Sequence, residues 1–211
     1  NLHIGFVRWA DKVNADRDRA LEFEEILGYH LEQAHRYLRE LGPMDEAGLA
    51  IGADAARRLS SSARRAFARG DMHAAASLFR RAIALLGESD ATRLSLLPEF
   101  GEVLLELGDF AQAREVLAEA QATADQNANR RIAASVELLR VRVRLFSAEA
   151  GDCSEEALRM AEESIPLFES EAAHPELARA WRLIGLVHGI SARYGQSTDA
   201  VSRSMVHARL A

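Results

Sequence analysis

The side chains best suited to chemistry crowd into "EILGYHLEQAHRYLRELGP", Glu25 to Pro43, where two histidines stand among glutamates and tyrosines. On one helix such a set would suit a zinc site or general acid–base catalysis. One zinc ion needs its two histidines four residues apart, so that both leave the same side of the helix. His30 and His35 are five apart, which turns them about 140° from one another. They do not converge. The spacing puts His30 on the apolar face, as a hydrogen-bonded structural histidine, and His35 on a flank.

The stretch "NADRDRALEFEE" offers calcium chemistry instead. Asn14, Asp16 and Asp18 take the first, third and fifth places of a calcium-binding loop, with Leu21 at the eighth and Glu25 at the twelfth. The sixth place needs glycine for its sharp turn, and Arg19 stands there with a positive charge. The stretch therefore reads as an acidic linker between helices. Cys153 follows Gly-Asp near a helix start, a setting that can activate a thiol, but without a neighbouring His or Lys it reads as a partly buried, unreactive group. Ser60 to Ser62 sit within a helix beside arginines, with no nucleophile-elbow or phosphate-binding glycine pattern anywhere in the chain. The adjacent pairs Glu24-Glu25 and Glu162-Glu163 point apart on their helices and read as solvated faces. Nothing assembles a nucleophile, a base and an oxyanion site, so the reading is of no enzyme, with no cofactor and no metal.

The elements that would carry these residues are helical. Hydrophobic residues make up 48% of the chain, aromatics only 6%, and Ala, Leu, Glu and Arg dominate, so strong helix formers outnumber β-branched residues. A net charge of −6 argues against nucleic acid as a partner, because phosphate binding needs a concentrated basic face. No apolar run is long enough for a membrane span, and a lone cysteine fits a reducing cytoplasm. Ala20, Leu21, Ile26, Leu27, His30, Leu31, Ala34, Tyr37, Leu38 and Leu41 mark one face of a helix that starts near residue 18 and stops at Gly42-Pro43. A second long helix runs from about Asp45 to Arg69. "LLRVRVRLF", Leu138 to Phe146, alternates like a strand but lies inside a longer helical pattern without a hairpin turn, and is assigned to helix.

The chain also repeats itself. "RGDMHAAASLFRRA" and "LGDFAQAREVLAEA" align without gaps on Gly70 and Gly108. Each continues with Asp, then apolar Met72 or Phe110, Ala75 or Ala113 at +5, Phe79 or Leu117 at +9, and Ala82 or Ala120 at +12. "AGDCSEEALRMAEES" gives a third copy from Gly151 with Ala157 and Ala161 one place late, and "YGQSTDAVSRSM" a fourth from Gly195 with Ala200 at +5. The anchors are 38, 43 and 44 residues apart, room for two helices and their turns. Glycine ends one helix, Asp caps the next, small alanines allow close approach and the +9 residue supplies the large knob. One such pair cannot bury its own apolar face, so neighbouring pairs must pack together.

These repeats resemble tetratricopeptide repeats, whose first helix carries W-x2-L-G-x2-Y. The corresponding places are Leu97, Phe100, Gly101 and Leu104 in "LPEFGEVL", and Trp181, Ile184, Gly185 and His188 in "WRLIGLVH". The last of these first helices reaches Gly195 three residues late. "EFEEILGYHLEQAHRYLRELGP" with "ARRLSSSARRAFARGDMHAAASLFRRAIALL" resembles the region after the ATPase module in bacterial signalling proteins that join class III nucleotide cyclases or transcription-activator domains to an AAA-type ATPase. The start "LHIGFVRWADKV" looks like the end of the small helical domain following that ATPase.

The resemblance implies an all-α, right-handed α-solenoid of about ten helices, with residues 1–43 as a helical connector after an upstream ATPase module and 44–211 as the repeat array. It also implies that first-helix places 2, 5 and 9 line a concave groove. These fall on Arg57 and Arg64, on Glu102, and on Arg179 and Arg182. Guanidinium groups there would suit an acidic peptide, a carboxylate or a phosphate. The expected function is that of a non-catalytic interaction and regulatory module of a cytoplasmic signalling ATPase, cyclase or transcription regulator. Its expected partner is a protein or peptide, its own ATPase domain among them, or a small ligand in the groove. The alternative is a homo-oligomerisation module, a homodimer formed through the C-terminal end around Val201 to Leu210.

Overall fold

Alanine and leucine at helical spacing produce ten helices among the described residues and no strand there. The computed structural model describes residues 2–15, 20–147 and 153–211. The helices are α1 (Leu2–Ala15), α2 (Ala20–Leu41), α3 (Glu46–Ala68), α4 (Met72–Ala84) and α5 (Ala91–Glu106), followed by α6 (Phe110–Gln126), α7 (Arg130–Phe146), α8 (Ser154–Ser170), α9 (His174–Ile190) and α10 (Tyr194–Leu210). The fold class is the one expected from sequence, all-α with hairpins of the solenoid type. The strand-like alternation of Leu138 to Phe146 lies in α7. The chain divides into two compact units, Asn1–Leu107 and Gly108–Ala211.

In the first unit α2 lies against both α1 and α3, α3 against α4, and α4 against α5. Ala55, Ala56, Leu59, Ala63 and Ala66 of α3 are buried, as are Ala75, Phe79 and Ala82 of α4. The alanines expected to permit close approach and the knob at Phe79 therefore stand where the repeat pattern requires them. The apolar face drawn on α2 is too wide: Leu27, Leu31 and Ala34 are buried, whereas Ile26, Tyr37 and Leu41 are exposed. A helix packed on two sides turns two narrow faces inward, and a single stripe cannot describe it. In the second unit each helix from α6 to α10 packs on the next, and α7 also meets α9. Leu138, Val141, Ala157, Ala161, Phe168, Leu177, Leu183, Val187 and Ala200 form its core.

The Gly-Asp turns behave as the sequence demands. Gly70 and Gly108 have φ of +80° and +76°, in the left-handed region that favours glycine. Asp71 then accepts from the Ala74 N–H at 3.0 Å, and Asp109 from the Gln112 N–H at 3.1 Å. Asp45, Asp90 and Asn129 cap α3, α5 and α7 in the same manner. The last helices are built differently: among the described residues no side chain caps α8, α9 or α10. The chain reverses there on alanines in the left-handed region, Ala172 at φ 49° and Ala192 at φ 55°, as it also does at Ala128 with φ 51°. The N–H groups of Asp71, Asn129, Ala173 and Arg193 each bond the carbonyl five residues back, at 2.8 to 2.9 Å, which closes the preceding helix alike in all four turns.

Ala192 also corrects the register of the fourth repeat. Gly195 lies inside α10, and the turn is three residues earlier. With Ala192 as anchor, Trp181, Ile184, Gly185 and His188 fall on the four motif places without displacement, and Ser197 takes the small-residue place. The reason for the small residues is visible there. A Cβ on Gly185 would come within 2.9 Å of Val201 Cγ2, and the Ser197 hydroxyl donates to the Gly185 carbonyl at 2.8 Å. The third anchor, Gly151-Asp152, lies outside the described residues. Restoring the Gly-Asp pair with Ala192→Gly and Arg193→Asp is expected to raise the unfolding free energy by about 1–2 kcal/mol, through relief of the left-handed alanine and one new cap. Urea denaturation of the parent and the double variant measures it.

Candidate interaction surfaces

The groove residues expected from the repeat alignment are shared between the two units. In the first, Arg57 and Arg64 lie two turns apart on one side of α3, and both guanidinium groups are more than half exposed. Each already holds carboxylates. Arg57 meets Asp54 at 2.5 Å and Glu24 at 3.7 Å. Arg64 donates from Nε and Nη2 to the two oxygens of Glu99 at 2.7 and 2.8 Å, a bidentate fork. Glu102, one turn beyond Glu99 on α5, is buried. In the second unit Arg179 and Arg182 lie three residues apart on α9 and are half-buried. Beside them the Arg203 guanidinium lies 4.6 Å over the Trp181 ring. Arg131 reaches Glu171 at 3.3 Å and Glu176 at 3.1 Å.

Two carboxylates in this arrangement escape sequence reasoning. Glu24 is not part of a solvated face: it is buried and accepts from Arg65 at 3.0 Å. Arg65 in turn donates to the Ser61 and Ser62 hydroxyls at 2.8 Å. Glu24 and Glu99 meet arginines 41 and 35 residues away, so no local spacing announces them. Glu25, Glu162 and Glu163 are exposed as expected.

The histidines exchange the places expected of them. His35 is only 5% exposed and lies against α3, where a Cβ on Gly52 would come within 2.7 Å of its ring. The glycine opens the space that the imidazole fills. His30 is half-buried towards α1, with its Nδ1 2.9 Å from Nδ1 of His3. One ring of that pair donates and the other accepts, so the acceptor is neutral. Burial pushes the pKa of His35 below 6.5, helped by the charge of Arg39, and burial followed by His3 lowers that of His30. The side chains of Asn14, Asp16, Asp18 and Leu21, on which a calcium loop would rest, lie outside the described residues. Among the described residues no three His, Cys, Asp or Glu side chains gather to hold a metal. Cys153 is buried at the start of α8, in the apolar core of the second unit.

Buried His35 and half-buried His30, both with lowered pKa, make the first unit sensitive to acid. Protons bind more readily to the unfolded chain, so the stability owed to these rings is complete above about pH 7. It declines as the pH falls through 6.5 towards the lower folded-state values. Urea denaturation between pH 7.5 and 5 is expected to show this decline, and His35→Gln is expected to flatten it. A pH-independent midpoint for the parent would contradict the assignment.

No described helix is long and apolar enough to cross a membrane. No curated protein matches the chain. Residues 66–135 match the tetratricopeptide repeat family. Among solved structures the chain is similar to the apo form of the quorum sensor NprR from B. thuringiensis, with a TM-score of 0.58 and 16% sequence identity. That similarity covers 97% of this chain and 59% of the other, so the chain spans less than two thirds of the sensor's length. At this identity the likeness establishes a shared helical-repeat fold.

Proposed function

We propose that the chain is a non-catalytic interaction and regulatory module, the sensor or scaffold portion of a bacterial signalling ATPase linked to a nucleotide cyclase or a transcription regulator. The observation that carries this reading is the arginine face of α3. Arg57 and Arg64 stand on one side of a tetratricopeptide-like first helix, more than half exposed and held by carboxylates that an acidic partner segment can displace. The similarity to a sensor named in its ligand-free form supports a receptor role. In this reading residues 1–43 connect the array of residues 44–211 to an upstream ATPase. A partner acting on Arg57 and Arg64, above the buried Glu102, or on Arg179 and Arg182, biases the packing of the helices beneath. The first-unit ion pairs pass that bias to α2. The test is nucleotide hydrolysis by the full-length protein, with and without the array, and with Arg57→Glu and Arg64→Glu together. Regulation lost on deletion and altered by charge reversal supports the reading; unchanged hydrolysis in both defeats it.

One observation favours homo-oligomerisation as a second reading. Tyr194, Val201 and Met205 fall on one stripe of α10 and are 72%, 43% and 52% exposed, an apolar strip of a kind that a second copy of the chain can cover. Native mass spectrometry separates the readings. A mass twice 23.2 kDa that returns to the single value in Val201→Glu with Met205→Glu establishes the dimer.

A further inference from the structure

The second unit contains a cavity of about 380 Å³ between α6, α7 and α8. None of Arg57, Arg64, Glu102, Arg179 and Arg182 lines it, so a ligand there is independent of the regulatory reading. Its rim is charged: Arg114 comes from α6, Glu137, Arg140 and Arg144 from α7, and Glu156 from α8. Its base is apolar, with Leu117, Val141 and Val143 buried beneath. We propose that this cavity binds a compact dianion on a small carbon body, a phosphate monoester or a dicarboxylate.

Charge is the first argument. Among the described residues three guanidinium groups and two carboxylates line this rim, a concentration of arginine in a chain whose net charge is −6. Arrangement is the second. Arg140 and Arg144 are one helical turn apart and project to the same side, while Arg114 faces them from the neighbouring helix. A guanidinium fork matches the oxygens of a carboxylate or phosphate two at a time, so an oxyanion between these helices meets several donors at once.

The forks are occupied by the protein's own carboxylates. Arg140 donates to Glu137 at 2.6 Å, and Arg144 meets Glu156 at 2.7 Å. All four side chains are between 39% and 48% exposed, and pairs so open to water contribute little to stability. Glu137 and Glu156 are thus stand-ins that a doubly charged ligand displaces. Hydrogen bonding to Glu156 raises the Arg144 pKa, so its charge is fixed at any working pH. Among the described residues the base is formed by Leu117, Val141 and Val143, which leaves that space to carbon. The volume lies at the lower end of the range for small-molecule sites, which suits a compact molecule.

Titration calorimetry of the purified chain with glycerol 3-phosphate and with succinate tests this, with sodium chloride at equal ionic strength as the control. Saturable binding of either dianion beyond the salt control is expected. Arg114→Gln with Arg144→Gln is expected to weaken it at least tenfold. Glu156→Gln is expected to tighten it several-fold, because the competing carboxylate is gone; a merely structural ion pair would not produce that gain. Circular dichroism confirms that each variant is folded. Heats no larger than those of the salt control, or equal affinity in the double arginine variant, overturn the proposal.

Discussion

Replacing Phe79 by alanine is expected to lower the unfolding free energy by about 3–5 kcal/mol and the Tm by on the order of 10 °C. Phe79 is 1% exposed and is the large knob of α4, beside buried Ala75 and Ala82. Those alanines bring α4 close to α3, so little room remains for neighbours to collapse into the vacated space. The cost then approaches the full sum of lost transfer energy and cavity. Hydrogen exchange locates the effect: α3 and α4 are expected to lose most protection. Phe79→Leu, which keeps much of the volume, is expected to lose less than half as much.

The second large effect concerns the attachment of α1. The Arg58 guanidinium is buried, and it donates to Asp11 of α1 at 2.8 Å and to Asp54 of α3 at 3.3 Å. Those two carboxylates keep its charge satisfied. Burial lowers the Arg58 pKa, but the hydrogen bond to Asp11 and the charge of Asp54 outweigh it and leave the pKa raised. Removing both partners with Asp11→Ala and Asp54→Ala is expected to cost about 2–3 kcal/mol, because a buried cation is left without a counter-charge. Arg58→Met, which removes the charge along with the need for a partner, is expected to cost much less. Urea denaturation ranks the two variants, and proteolysis near residue 10 of the native protein reports whether α1 has come loose. The reverse order would mean that packing of the arginine stem, not its charge, fixes α1.

How much the sequence discloses depends on the range over which each feature acts. The turns at Gly70 and Gly108 were legible because glycine, aspartate and the next alanine act within six residues, where chain connectivity fixes the geometry. The same logic misplaced the last repeat, since Gly195 looks like a turn residue while Ala192, with nothing in its type to betray a left-handed backbone, makes the turn. His30 and His35 were exchanged because burial of a helical residue depends on how many neighbours the helix has, and α2 has two. Local pattern describes α2; it does not count what lies beside it. The partners of Arg64 and Arg65 are out of reach for the same reason: only the packing of α2, α3 and α5 brings Glu99 and Glu24 to them. The placement of Arg57 and Arg64 on one side of α3, by contrast, is fixed by their seven-residue spacing alone.

The contrast between capped and uncapped turns has a consequence for how the molecule comes apart. Helices α3 to α7 begin on aspartate or asparagine, whereas α9 and α10 have no such anchor and follow left-handed alanines. In a linear array each hairpin is held mainly by its neighbours, so opening starts where a hairpin's own stability is weakest. The α9–α10 hairpin, with no side-chain cap on either helix and a left-handed alanine before each, is such a place. Within the second unit this hairpin is expected to open first, and anything that seats on the exposed Tyr194, Val201 and Met205 of α10 holds it closed and raises the cooperativity of that unit.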